Sequence, residues 1–317
     1  MQEQNLNAHD DFFKVAFSRL DVTTDYITQF LDKNLVKKID LQALVLSNTA
    51  YTTSDLKDYF ADIVWETTYG KAKTPIKITF LFEHKSYVPR YPHLQMLRYL
   101  LEIWEDCEKN KKPLTPVIPI IVYHNKKDRH WKYKPFSNYF KGVDAGLEPY
   151  IPKFEYQLTD LTLMTEAQIL GLEAGLLINA LLTLHLGSKA NYVVEKINTL
   201  LVNVKNVSDD EHFHQFFFAQ LVYVLKNNEL SPEKVNTIIN NFNNTVKMNA
   251  YDVLIKNAEE KGIEKGMEKG TALTESAKDK TFATSLIVST DFNDEKISIL
   301  VGVTVDYVKQ LREELIG

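Results

Sequence analysis

Hydrophobic positions change their period along the chain, and those changes mark its elements. From His9 to Leu20 the residues Phe12, Phe13, Val15, Ala16, Phe17 and Leu20 fall mostly on one side of a helix, with Asp10 or Asp11 at its start. Thr24 to Leu31 repeats the helical pattern, and Leu41 to Leu46 fits helix or strand. Ile76, Ile78, Phe80 and Phe82 then alternate along an extended segment and share one face. The Gly70 to Pro75 break before them predicts a hairpin with a strand that opens near Asp62. Leu94, Leu97, Leu101 and Trp104 recur at helical spacing until Pro113 and Pro116 stop the pattern. Val117 to Tyr123 is a continuous apolar run, as in a strand buried on both faces. Pro119 inside it predicts an edge or a bulge. Strands separated by a helix predict an α/β or α+β domain around a mixed sheet.

Beyond Met164 the pattern is helical to Phe242, with boundaries at Gly187-Ser188, Asp209-Asp210 and Ser231-Pro232. Ile169 to Leu186 reads as one buried helix, since Glu173, Asn179 and His185 interrupt it too often for a membrane span. Phe213, Phe216, Phe217 and Phe218 read as core. From Glu260 to Gly270 a Lys-Gly pair recurs every four residues, placing Gly262, Gly266 and Gly270 on one helical stripe. That stripe fits self-association through the tail, and equally a charge-balanced linker. Phe282 to Leu315 reads as three short helices, with Ile297-x-x-Leu300, Gly302 and Val305-x-x-Val308 in the rhythm of a helix-turn-helix. Its last helix offers only Lys309 and Arg312 as cations, a weak endowment for reading DNA.

The chemistry concentrates between Asp62 and Tyr99. Asp62 stands at the head of one apolar run, and Glu83-His84-Lys85 closes the next. Glu83 and Lys85 lie on the face opposite Ile76 and Ile78, while Gln95 and Tyr99 share a helix face at i and i+4. Each alone reads as ordinary surface. Together, a carboxylate, a carboxylate-plus-lysine pair and a polar helix face suit a divalent cation held against a phosphodiester.

Asp62, Glu83-x-Lys85 and Gln95-x-x-x-Tyr99 resemble the PD-(D/E)XK nuclease core, with Ala61 where that core has proline. Leu81 to Ser86, Leu97-Arg98-Tyr99 with Trp104, and Val117 to His124 are similar to the Rpn family of recombination-promoting nucleases, a transposase-like group. His9 to Lys14, and Tyr150-Ile151-Pro152 leading into Leu158-Thr159-Asp160-Leu161, match that family's wording too. The resemblance implies a mixed sheet flanked by helices over residues 1–160. A helical extension over 161–250, the Lys-Gly segment over 251–280 and a helix-turn-helix-like tail over 281–317 would follow it. It implies a Mg²⁺-dependent DNA endonuclease of recombination or mobile elements, with Asp62, Glu83 and the His84 carbonyl as metal ligands. Lys85 would orient and deprotonate the attacking water, and Gln95 and Tyr99 would position substrate or water. Asp11 is a further acidic candidate. The rival is a non-catalytic DNA-binding or assembly protein on a degenerated nuclease fold; the presence of all five site residues counts against it. A transposase proper needs a third acidic ligand, which the motif does not supply.

Composition narrows the choice further. The 317 residues are 44% hydrophobic and 25% charged, ordinary for a soluble protein of one or two domains. The single Cys107 excludes an intrachain disulfide and fits a reducing, cytoplasmic setting. The opening residues lack an apolar signal core, so no membrane partner is expected. Net charge is −5, yet Glu108 to Lys134 holds seven Lys and one Arg against one Glu and one Asp. Lys126, Lys127 and Arg129 in that segment are the candidate DNA-phosphate contacts. His212-x-His214 lacks a third metal ligand, Cys107 lies between acidic neighbours, and no Gly-rich nucleotide loop occurs.

Overall fold

Among the described residues five strands lie side by side in chain order: Val45–Leu46 (β1), Ile63–Tyr69 (β2), Thr74–His84 (β3), Val117–His124 (β4) and Gln157–Asp160 (β5). The computed structural model describes residues 8–47, 63–84, 90–124, 130–186, 189–202, 211–228, 230–246, 277–290 and 292–316. The chain forms two compact units, Ala16–Leu177 and, in the other, Met1–Val15 with Ile178–Gly317.

The first unit contains the sheet, which is mixed as expected. β1–β2 and β2–β3 are antiparallel, whereas β3–β4 and β4–β5 are parallel. The Gly70 break is a hairpin turn, with Gly70 at φ +69° and Lys73 at φ +53°. Glycine takes that left-handed conformation without a Cβ penalty, and the Lys73 side chain pairs with Asp40. Across the hairpin Glu66 and Lys77 are direct partners, Nζ lying 2.9 Å from Oε1. That hydrogen bond holds the Glu66 carboxyl below its ordinary pKa.

Ile120, Ile121, Val122 and Tyr123 are buried, as a two-sided apolar strand requires. Pro119, however, lies neither in an edge strand nor at a bulge. Its Cα partner is Thr79 on β3, while the β5 ladder begins only at Ile120, paired with Gln157. β5 is short, so β4 has one neighbour at the proline, and the missing N–H costs no bond on that side.

Helices Ala8–Phe17 (α1), Leu20–Phe30 (α2) and Lys33–Val36 (α3) open the chain. The apolar stripe predicts one helix to Leu20 and another from Thr24. The break instead falls at Ser18-Arg19, and the second helix starts earlier. Arg19 is extended, and its guanidinium pairs with Asp21 at 2.9 Å. The Phe17 carbonyl, freed at the end of α1, accepts from Thr23 Oγ1 at 2.7 Å and Trp65 Nε1 at 3.0 Å. Within this unit Tyr26 packs on Phe17, its hydroxyl 2.5 Å from Thr159 Oγ1.

Pro92–Lys109 (α4) connects β3 to β4, with Pro92 in its first turn. Its buried stripe differs from the expected one: His93, Met96, Tyr99, Leu100, Ile103 and Cys107 are covered, whereas Leu94 and Leu101 are 45% and 53% exposed. Two apolar stripes run along this helix, and the one carrying Tyr99 packs with Val64, Ile121 and Tyr123 of the sheet. The stretch read as one buried helix is two, Glu166–Leu170 (α5) and Leu176–Leu186 (α6). Gly171 ends α5, and the N–H of Gly175 donates to Asp25 Oδ2 at 2.9 Å.

The second unit is helical: Ala190–Glu195 (α7), Ile197–Leu200 (α8), Glu211–Lys226 (α9), Pro232–Val246 (α10), Ala277–Ser289 (α11), Asp294–Val301 (α12) and Val305–Ile316 (α13). Phe213, Phe216 and Phe217 are core, as their pattern predicts, whereas Phe218 is only partly buried. A buried polar network links Asn179, Thr183 and Gln220 to the Leu200 carbonyl at 2.6–2.8 Å. α11 packs on α9 and α10 as well as on α12 and α13. Gly302 at φ +81° caps α12 and makes the expected tight turn. Arg312 is committed internally, to Asp294 Oδ1 and the Phe292 carbonyl, each at 2.8 Å. The Lys-Gly repeat lies outside the described residues. No described helix is long and apolar enough to cross a membrane.

Candidate active site

The carboxyl ends of β3, β4 and β5 lie along one edge of the sheet, because these strands are parallel. Glu83 is the next-to-last residue of β3, and its register neighbour is Tyr123 of β4. The other neighbour of Tyr123 is Asp160, the last residue of β5. Two strand spacings, about 10 Å, thus separate the Glu83 and Asp160 backbones. His84 pairs with His124 one step beyond. Ligands of open parallel sheets gather at such an edge.

Asp62 and Lys85 lie outside the described residues, as do Lys126, Lys127 and Arg129. Their chain neighbours are placed: Ile63 opens β2 opposite Phe80, His84 ends β3, and the basic segment leaves from His124 and returns at His130. Among the described residues no three His, Cys, Asp or Glu side chains converge on a metal position. The carboxylates of Asp62 and Glu83 fall outside that set.

Gln95 and Tyr99 share a face of α4 but differ in exposure. Tyr99 is 1% exposed and belongs to a core cluster with Met96, Ile103, Trp131 and Tyr156, whereas Gln95 is half-buried. Asp11, the further acidic candidate, is exposed on α1.

Sequence reasoning passed over the role of Asp160. Its Oδ2 accepts the Trp131 N–H at 2.7 Å, and its Oδ1 accepts the N–H and hydroxyl of Thr162 at 2.9 and 2.5 Å. The Thr162 hydroxyl proton is thereby used, so its oxygen accepts from His130 Nδ1 at 2.8 Å. One buried carboxylate therefore fixes the chain that returns from the basic segment and sets the tautomer of an exposed imidazole. An Asp two residues before a Thr at a strand end is the available signal: Asp160 caps the short helix Leu161–Leu163. His93 was missed as well. It is buried, and neither ring nitrogen has a hydrogen-bond partner among the described residues. Burial lowers its pKa and keeps it neutral.

Comparison with known proteins gives this arrangement a setting. Residues 7–212 match the family described as "Putative transposase, YhgA-like". The recombination-promoting nuclease RpnA of Escherichia coli K12 is 22% identical over 174 residues, 53% of this chain and 57% of RpnA. RpnD, a recombination-promoting nuclease of Escherichia coli O157:H7, is 24% identical over 66% of this chain and 85% of its own length. The inactive recombination-promoting nuclease-like protein RpnE of strain K12 is 24% identical over 66% of this chain and 68% of its own length. No solved structure matches.

Proposed function

Because this chain belongs to the YhgA-like transposase family, we propose that it is a metal-dependent DNA endonuclease acting at the carboxyl edge of β3–β5. The observation that supports the reading best is the register that aligns Glu83, Tyr123 and Asp160 on that edge, beside the α4 crossover bearing Gln95 and Tyr99. Two carboxylates, Asp62 and Glu83, with the His84 carbonyl form the hard oxygen donor set that Mg²⁺ prefers. When bound there, the ion supplies Lewis acidity and a more acidic water. Lys85 orients that water or neutralises phosphate charge, and Gln95 positions the backbone. Lys126, Lys127 and Arg129 contact neighbouring phosphates. Recombination or mobile-element DNA is the setting that the family's nucleases suggest.

Supercoiled and linear DNA incubated with the protein in Mg²⁺ or EDTA test this directly. Cleavage should require the metal and be lost in Asp62→Ala and Glu83→Ala with far-UV circular dichroism unchanged. Cleavage that survives both substitutions places the chemistry elsewhere. RpnE, a relative named inactive, favours a second reading, a DNA-binding or assembly protein without catalysis. Wild-type protein that binds DNA but never cuts it selects that reading. Self-association through the tail is a separate element of the proposal. Sedimentation equilibrium decides it, since a chain that stays monomeric at high concentration makes the Lys-Gly segment a linker.

A further inference from the structure

Helix α4 begins among aromatic rings that form a continuous tract. Tyr91 meets Tyr139 edge-on at 5.5 Å, Tyr139 meets His93 at 5.7 Å, and His93 stacks on Phe136 at 5.0 Å. Phe136 in turn meets Phe140 at 5.2 Å. The inner rings His93 and Phe136 are buried, but the tract opens at its rim. Tyr91, Tyr133 and Phe140 are 38–42% exposed, and Tyr150 is 82% exposed. A cavity of about 410 Å³ opens between Tyr133, Phe136 and Phe154. Ile151, Pro152 and Lys153 are common to it and to the hollow that Tyr150 lines.

Charge follows the rings. The Arg90 guanidinium lies 5.0 Å above the Tyr91 ring, and Lys132, Lys134, Lys141 and Lys153 are exposed. Three exposed carboxylates share the region: Asp144, Glu148 and Glu155. Asp144 accepts from Gly146 N in its own turn. Glu148 and Glu155 instead line the cavity with Ser137. Carboxylates at the cavity would repel a phosphate, but they accept hydrogen bonds from the exocyclic amino group of a base. Flat rings that offer their faces beside cations are the chemistry that binds single strands. A duplex keeps its base faces stacked inside and cannot use them.

We propose that this surface binds single-stranded DNA, with an unpaired base in the cavity between Tyr133, Phe136 and Phe154. A neighbouring base stacks on Tyr150, and the strand's phosphates meet Lys132, Lys134 and Lys153. The proposal rests on the nuclease reading in naming DNA as the polymer. Gln95 and Tyr99 follow Tyr91 by one and two turns of α4, so the bound strand is delivered to the candidate site.

Fluorescence anisotropy of the full chain in EDTA tests the platform without cleavage. A labelled mixed-sequence 20-mer should bind at least tenfold tighter as a single strand than as a duplex. Tyr150→Ala, at a position too exposed to matter for folding, should weaken single-strand binding roughly fivefold or more and leave duplex binding unchanged. A cytosine 20-mer should bind more tightly than a thymine 20-mer, which has no exocyclic amine. Equal or tighter duplex binding overturns the proposal, as does an unaffected Tyr150→Ala or a preference for thymine. So does an RNA 20-mer that outcompetes DNA. A dimer of the free protein that Tyr150→Ala dissociates, with DNA affinity unchanged, assigns the rings to a second copy instead. Loss of cleavage with single-strand preference intact refutes the nuclease reading and leaves the platform standing.

Discussion

Gln95 and Tyr99 stand one turn apart on α4, yet Tyr99 is sealed in the core at 1% exposure while Gln95 keeps part of its surface open. The pair that a sequence motif treats as one unit is thus divided between a sealed core position and a partly open one. Tyr99→Ala should cost about 3–5 kcal/mol of stability, as loss of a buried aromatic does. Tyr99→Phe keeps the ring and isolates the hydroxyl. Gln95→Ala should cost less stability than Tyr99→Ala and lower cleavage by about a hundredfold through misplacement. Denaturant melts alongside cleavage rates check both.

The basic segment between His124 and His130 should carry a measurable share of DNA affinity. Neutralising Lys126, Lys127 and Arg129 together should reduce the slope of log affinity against log salt by about 0.9 for each phosphate that no longer meets a cation. Binding titrations at several salt concentrations read this. An unchanged slope relegates those charges to solubility.

Asp160 is predicted to be structural and positional together. Asp160→Ala leaves the Trp131 N–H and both Thr162 donors without their acceptor, at a cost of about 2–4 kcal/mol. Asp160→Asn keeps one acceptor oxygen, enough for the Trp131 N–H or for the two Thr162 donors but not for all three, so its loss should fall between wild type and alanine. Urea denaturation ranks the three proteins.

The buried His93 makes the fold sensitive to acid. Its pKa is lowered in the folded state by burial, so the unfolded chain binds the proton more readily. Stability from this residue is full above the unfolded value of about 6.5 and falls as pH drops below it. His93→Phe should flatten that decline between about pH 7 and 5. A parallel fall in the variant and the wild type assigns it to other groups.

Glu66 acts in a lower window. Lys77 holds its carboxyl below the ordinary range, so its contribution is present above about pH 4.5 and is lost as pH falls through the lowered value. Glu66 is half-exposed while Lys77 is buried. Glu66→Ala should therefore cost only about 1 kcal/mol, by removing this pair from the Lys77 ammonium. Thermal melts at pH 7 with and without the substitution measure it.

The sheet was legible because period-two alternation and a two-sided apolar run survive any arrangement of their neighbours. Ile76 and Ile78, and Ile120 to Tyr123, proved buried where the pattern put them. The buried face of α4 was not legible. Leu94, Leu97 and Leu101 are as apolar as Met96, Leu100 and Ile103, and only the sheet decides which stripe it covers. Pro119 misled for a related reason: the length of β5, set far along the chain, relieves the missing donor. Asp62, Glu83 and Lys85 were singled out by the motif. Asp160, His130 and His93 were not, because each acts through partners distant in sequence or unlike it in chemistry. In the tail the three helices followed from spacing, but the commitment of Arg312 to Asp294 and the Phe292 carbonyl depends on how those helices fold together.

Phe12 meets Phe216 at 5.6 Å and Tyr223 at 5.4 Å, rings made some two hundred residues later in synthesis. β1 to β5 follow chain order, so the sheet can assemble strand by strand as the polypeptide leaves the ribosome. The first helix cannot complete its packing then. Phe17 finds Tyr26 early, but Phe12 waits for its ring partners until α9 has emerged. A chain terminated before Glu211 lacks Phe216 and Tyr223, and with them the aromatic partners of Phe12.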